Sequence, residues 1–250
     1  MKLIFSLDNK NIFYGIFKER KNRFLVICDL IDSNTNSIIK KDVEVHLSDS
    51  GRLNELLKEK RKVIVRYIES NLSRKTQYDL IAIEDEFKNF IFLNPKYHSQ
   101  IANFLIEENI LELEEPFIVY KEKKLGDSRI DFFVESKTKR YWIEVKGVTL
   151  REGNICLFPD SPTKRGEKHI EELVSIIEKE KNTYAYILFL SFVDCSCFRP
   201  NNKEGNFYKF LKEALKKEKF KIKVVKLFFN PYNLSLYYVG PIKICQDFIS

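Results

Sequence analysis

The stretch SRIDFFVESKTKRYWIEVKGV, residues 128–148, decides the fold of this chain. Two apolar segments, SRIDFFVE and YWIEVKGV, flank the polar turn SKTKR, the pattern of an antiparallel strand pair. Side chains alternate along a strand, so Ile130, Phe132 and Val134 share one face while Asp131, Phe133 and Glu135 share the other. In the second strand, Ile143 and Val145 oppose Trp142, Glu144 and Lys146. For both aliphatic rows to enter one core, the register must set Asp131 on the face of Glu144 and Lys146. A slip of one residue would bury Asp131 among Ile143 and Val145 without a partner, which costs several kcal/mol.

Two carboxylates and an ammonium therefore converge on one face, flanked by Gly126 and Gly147. Carboxylates at close quarters repel, and both ionise only with a cation between them. Mg²⁺, or Mn²⁺ in its place, meets that need with oxygen ligands and retained waters, and it bridges to phosphate oxygens. The Val145 carbonyl is a further candidate ligand. The expected chemistry is attack on a phosphodiester, with Lys146 orienting water or neutralising developing charge. The D…ExK spacing by itself is common as an ordinary surface salt-bridge pair. Its setting of helix, strand, turn, strand and helix is what points to a metal site. The preceding helix is expected to add a carboxylate from Glu108, with the adjacent Glu107 as the alternative.

Upstream, residues 1–93 read as short β segments: KLIFS, IFYGIFK, RFLVICDLI, VEVHL, KVIVRYIE, YDLIAIE and FIFLN, broken by polar turns. They predict a small OB-like β-barrel that binds nucleic acid. LNELLKEK, 53–60, is expected as a short helix within it, and KEKRKVIVR, 58–66, is the densest basic stretch. From Asn94 the pattern turns helical through Ile101, Leu105 and Ile110. The second domain, 94–250, is expected to run helix, three strands (FIVYK, SRIDFFVE, YWIEVKGV), helix, strand, helix and two strands. YAYILFLSFV is apolar on both faces, as a central strand covered on each side would be. The fold class is α/β in the second domain and α+β overall.

Downstream of the metal pair, FPDSPTKRGEKHIEEL predicts a helix from about Pro162 to Lys181, with Ser161 as N-cap and Pro162 at the first helical position. Ile170, Leu173, Val174 and Ile177 form its buried stripe. Lys164, Arg165, Lys168 and His169 crowd its first turns, where cations oppose the helix dipole and a phosphate would relieve them. His169 reads equally well as a phosphate contact or as a hydrogen-bonded structural histidine.

The chain of 250 residues is long enough for two domains, and 44% apolar with 32% charged residues suits packed cores rather than disorder. A net charge of +7 favours polyanions weakly. The N-terminus lacks a signal-peptide apolar run and no segment approaches a membrane span, so a cytoplasmic location is expected. Five cysteines, scattered and odd in number, imply no disulfide framework, and the CxC at Cys195 and Cys197 has no second ligand pair at zinc-finger spacing. Buried, reduced thiols are expected.

With these residues in hand, the sequence resembles the sugar fermentation stimulation protein A family. GDSRIDFFVE…YWIEVKGVTLREGNICLFPDSPTKRGEKHIEEL is similar to the family signature ending in RGxKH. SGRLNELL, 50–57, resembles its GRM-type segment and CFRP, 197–200, its FxP element. The resemblance implies an OB-like domain joined to a PD-(D/E)xK restriction-endonuclease-like domain. It implies DNA binding, a link to regulation of sugar-use genes, and nuclease activity inferred from fold. Asp131, Glu144 and Lys146 fall on the nuclease motif; Thr163, Arg165 and His169 fall on the helix motif. The chain departs at HLSD, where the family has a PN-type turn, and at NNKEGN after the FxP element. The resulting expectation is a DNA-binding protein, with RNA as a second candidate partner, and a magnesium-dependent nuclease-like site. The alternative is a non-catalytic DNA-binding regulator of sugar-metabolism genes on a retained nuclease scaffold. Nucleic-acid contacts are expected at Arg52, Arg129, Lys164, Arg165 and His169, mainly to phosphates and sugars. Whether the chain dimerises is left open.

Overall fold

Short strands rich in buried aliphatic residues build the N-terminal barrel. β1 (Lys2–Ser6), β2 (Ile12–Asn22), β3 (Leu25–Ile31), β4 (Ile38–His46), β5 (Lys62–Tyr67), β6 (Tyr78–Glu84) and β7 (Phe90–Phe92) fall on the seven segments expected as strands. The structure, a computed structural model, describes residues 1–69 and 75–249. β4, β3, β2, β5, β6 and β7 lie side by side in that order. A parallel bridge from β4 to β6, Val45 to Tyr78 and His46 to Asp79, closes the sheet on itself as an OB-like barrel. Val26, Cys28, Val45, Val63, Val65, Leu80 and Ile83 share one fully buried face of the sheet. Gly15 is required at the β2–β3 crossing, because a Cβ there would lie 2.8 Å from the Asp29 carbonyl.

The helix expected at 53–60 is absent. Leu53 and Lys60 both take left-handed backbone, with φ of 54° and 69°, which ends α-helical propagation at each side. The segment is a pair of turns tied by the Leu57 N–H to the Leu53 carbonyl, and the Arg61 guanidinium donates to the carbonyls of Glu55 and Leu56. β1 stands outside the barrel sheet and pairs antiparallel with a C-terminal strand, Lys2 against Tyr238 and Ser6 against Ser235. The chain accordingly divides into two compact units: Met1–Tyr97 with Leu227–Val239, and His98–Lys226 with Gly240–Ser250.

In the second unit, α1 (His98–Glu107) follows a 3-10 turn. β8 (Phe117–Leu125), β9 (Ser128–Ser136) and β10 (Arg140–Val148) make an antiparallel meander. β13 (Thr183–Ser191) runs parallel to β10 on one side and, on the other, to the first part of β15 (Phe220–Asn230), from Phe220 to Lys226. Nearly all of β13 is buried, as its two-sided apolar pattern predicts. Among the described residues, α2 (Lys164–Lys179) and α3 (Phe207–Ala214) are this unit's other helices of eight or more residues.

Four short strands escape a reading of hydrophobic pattern: β11 (Leu150–Glu152), β12 (Ile155–Phe158), β14 (Cys197–Pro200) and β17 (Lys243–Ile244), after β16 (Ser235–Pro241). With two to four residues each, they are too short to show a period. They form a second sheet in the order β11, β12, β14, β17. This sheet overturns the expectation of reduced, scattered thiols. Parallel pairing of β12 with β14 and of β14 with β17 brings distant cysteines together, and disulfides join Cys156 to Cys195 and Cys197 to Cys245. Their Cα separations of 5.7 and 5.1 Å fall within the disulfide range. Cys28 stays free and buried in the barrel.

The N-terminus of α2 also differs from the sequence expectation. The helix starts at Lys164, and its cap is Thr163, whose hydroxyl accepts from the Gly166 N–H at 3.1 Å. Ser161 and Pro162 precede it. Gly166 is dictated by this cap, since a Cβ would sit 2.9 Å from the Thr163 Oγ1 and 3.3 Å from the Phe207 ring. Thr163→Ala should therefore cost about 1 kcal/mol in urea denaturation and Ser161→Ala about nothing; equal losses would return the cap to Ser161.

Candidate metal and phosphate site

β9 and β10 pair in the register that the aliphatic rows demand. Ile143 lies opposite Phe132 and Trp142 opposite Phe133, with the two aromatic rings 4.7 Å apart. Asp131, Glu144 and Lys146 consequently share the face of Phe133 and Trp142. The ladder stops at the Ile143–Phe132 pair, and the next N–H of that edge, Val145, donates to the Asp131 Oδ2 at 2.7 Å. One carboxylate oxygen thus replaces a backbone acceptor and fixes Asp131 against β10. The N–H and C=O of a strand residue point to the same edge, so the Val145 carbonyl is directed to the β9 side of β10.

Glu144 is 3% exposed. Its Oε1 accepts from Lys146 Nζ at 2.5 Å and lies 2.6 Å from His169 Nδ1. Its Oε2 is buried with no hydrogen-bond partner. Arg165 Nε donates to His169 Nε2 at 3.4 Å, which leaves the His169 proton on Nδ1, directed at Glu144. α2 therefore covers the Asp131–Glu144 face of the sheet.

The electrostatics separate the two carboxylates. Burial and the neighbouring Glu144 charge lift Asp131 to about 6, against the opposing pull of the Val145 N–H and Lys146. Burial also acts to raise Glu144, but the Lys146 ammonium and the His169 hydrogen bond outweigh it and hold that carboxyl below the ordinary glutamate value. Asp131 thus titrates close to physiological pH while Glu144 stays ionised well below it, the separation that two carboxylates on one face produce. The chemistry of the donor set fits a hard divalent ion: the orphaned Glu144 oxygen, the Asp131 carboxylate and the Val145 carbonyl are all oxygen donors.

Family models match both halves of the chain: the SfsA N-terminal OB domain over residues 19–93, and the sugar fermentation stimulation protein RE domain over residues 96–233. The chain belongs to the sugar fermentation stimulation protein family. A homologue from Thermosipho melanesiensis is 38% identical over 99% of this chain and 100% of its own length. One from Methanococcoides burtonii is 33% identical over 91% and 90%. The solved structure of Pyrococcus furiosus SfsA in complex with Ca²⁺ superposes with a TM-score of 0.82 at 24% identity, covering 98% of this chain and all of that one.

Within this SfsA-family scaffold not every expected site residue reaches the cluster. α1 lies on the opposite face of β10: a Cβ at Gly147 would collide with the His98 imidazole, and Gly147 alternates with Val145 and Ile143. The helix then runs away, and the chain after it reaches the other end of β10, where the Glu114 N–H meets the Tyr141 hydroxyl. Glu108 is left exposed roughly 15 Å along the helix from His98. Glu107 is likewise exposed and accepts from Asn103. Neither carboxylate joins Asp131 and Glu144. Among the described residues, no group of three or more His, Cys, Asp or Glu side chains stands ready to hold a metal.

His169 is 2% exposed and turned into Glu144, which corrects its reading as a strand contact. Lys164 and Arg165 lie exposed on the first turn of α2, and Arg129 is exposed and paired with Glu122 at 3.2 Å. Arg52 is exposed in the barrel unit, where its carbonyl accepts from Arg20. Sequence reasoning missed His98, which stacks on Phe192 at 5.4 Å and is pushed down to about 4 by burial and the Lys146 charge. Its place next to a glycine 49 residues away leaves no local signal.

The Asp131 shift has a consequence for stability. A carboxyl raised from 3.8 to about 6 on folding contributes stability fully present below pH 4 and lost as pH rises through 6, up to ~3 kcal/mol in all. Asp131→Asn keeps an acceptor for the Val145 N–H and removes the titration. In EDTA at pH 7.5 the variant should therefore be more stable than wild type to urea by about 1–3 kcal/mol, and the gap should close at pH 4. Equal stability at pH 7.5 would contradict the assigned burial of this charge.

Proposed function

We propose that this protein is a metal-dependent nuclease acting on DNA or RNA, with Asp131, Glu144 and Lys146 at its reactive centre and Mg²⁺ or Mn²⁺ as cofactor. One observation carries the reading: Glu144 is buried with one oxygen saturated and the other without a partner, beside an Asp131 held near its titration point. An uncompensated buried carboxylate oxygen costs stability unless a cation meets it. Asp131, the Glu144 Oε2 and the Val145 carbonyl would hold that ion. The Pyrococcus furiosus SfsA structure in complex with Ca²⁺, another hard oxygen-seeking cation, supports a divalent-ion site in the family.

The bound metal would supply Lewis acidity toward a phosphate oxygen and acidify its own water. The chain's own groups do the rest. Lys146, 15% exposed at its side chain, already sits on Glu144 and is placed to swing to a phosphoryl oxygen. Asp131, its Oδ2 fixed by the Val145 N–H, would stay ionised with a cation beside it and offer that ion its other oxygen. Exposed Lys164, Arg165 and Arg129 offer phosphate contacts, and the OB-like barrel with Arg52 offers a surface for a strand.

Purified protein should cleave plasmid, single-stranded DNA or RNA with Mn²⁺ or Mg²⁺, and Asp131→Ala or Glu144→Gln should lower the rate by about 100-fold or more. Equal cleavage by wild type and Asp131→Ala would reject the reading. A second reading, a DNA-binding regulator on a nuclease scaffold that has lost catalysis, is favoured by the lack of a third metal-ligating side chain among the described residues. In that case DNA binding survives Asp131→Ala and weakens steeply between about 50 and 200 mM salt, whereas salt-independent binding counts against it.

A further inference from the structure

The α2 motif TKRGEKH, residues 163–169, is expected from its charge to meet phosphate, yet its histidine points inward. Glu144 has four lone-pair directions and a 3% exposed side chain. Oε1 is fully engaged by Lys146 at 2.5 Å and by His169 at 2.6 Å, while Oε2 has no partner. The asymmetry is built from α2. Thr163 caps the helix, Gly166 lets that cap approach without a Cβ, and the next turn sets His169 against Glu144. Arg165, one turn before His169, donates to its Nε2 and so fixes the tautomer whose Nδ1 proton faces the carboxylate. With the other tautomer, a nitrogen lone pair would face a carboxylate oxygen at 2.6 Å.

We infer that His169 is a positioning residue that pins Glu144 Oε1, so that Oε2 alone is presented to a divalent cation, and that Arg165 supports it by holding the imidazole tautomer. This rests on the metal-site reading above, and it removes His169 from the strand-binding surface. Partners of this kind, which orient a ligating carboxylate, typically govern metal affinity by about 10–100-fold. The metal contact is through a single Glu144 oxygen, since the second is held by protein donors.

The test is calorimetric titration of the full chain with MnCl₂ at fixed pH, on wild type, Asp131→Ala, His169→Ala, His169→Asn and Arg165→Ala, with thermal melts in EDTA alongside. His169→Ala should bind Mn²⁺ roughly 10–100-fold more weakly. His169→Asn, whose amide N–H replaces the Nδ1 donor, should recover most of that loss, a rescue that a space-filling role would not produce. Arg165→Ala, at an exposed position, should weaken binding a few-fold with an unchanged melt. If Asp131→Ala abolishes binding while His169→Ala stays within twofold of wild type, the positioning role is overturned and the metal site stands. Should His169→Ala fail to fold, Arg165→Ala decides, and affinity within twofold of wild type overturns the inference. No Mn²⁺ binding by wild type overturns both readings together.

Discussion

The buried carboxylate of Glu144 is the constraint on which the second unit is organised. A charge removed from water must be compensated by neighbours with fixed geometry, and here they come from two directions. Lys146 reaches it from the same strand, two residues on, because alternation returns the side chain to the same face. His169 reaches it from α2, so the helix start, its threonine cap and the glycine inside that cap are all tied to one oxygen atom. Moving α2 by one residue would rotate its side chains by about 100° and turn the histidine away from Glu144.

Asp131 answers to a different constraint. It lies where the β9–β10 ladder ends, and its Oδ2 takes the N–H that the next backbone carbonyl would otherwise have taken. The same bond that orients it fails to offset its burial, and Glu144 beside it adds repulsion. The two acids therefore divide: one is held ionised by cations, the other is raised toward neutrality. This tension costs the fold stability, a cost that functional sites commonly carry.

The face shared by Asp131, Glu144 and Lys146 was legible because period-two alternation combines with the cost of burying a lone carboxylate, and that pair of rules leaves one register. β13 was legible for a similar reason, its apolar residues showing on both faces. The seven N-terminal segments stood out as strands, whereas the turns around Leu53 did not, because left-handed φ at a leucine has no compositional mark. Four strands of two to four residues carry no period, and with them went the cysteine pairing, which depends on β12, β14 and β17 lying side by side. Glu108 was expected at the site because a helix precedes the meander. Which face that helix covers is decided by the His98 contact at Gly147, a long-range fact. His169 was ambiguous for a plain reason: a histidine on a basic helix turn has the same spacing whether it faces solvent or core.

The arrangement also bears on how far catalysis and binding can be separated in this scaffold. A domain retained only to hold nucleic acid needs exposed cations such as Lys164 and Arg165, and it needs no desolvated acids. An asparagine at 131 would serve the Val145 N–H equally well and remove the repulsion from Glu144. A glutamine at 144 would still accept from Lys146 and His169 at Oε1, but its amide nitrogen would bury two donors without acceptors where Oε2 now stands. The chain keeps an acid at 131, where an amide would make the same structural hydrogen bond without the repulsion, and what an acid offers beyond an amide is negative charge and a titratable proton. Both are what a divalent cation and a phosphodiester reaction require of a site, which is why the metal-dependent reading takes precedence over simple strand binding.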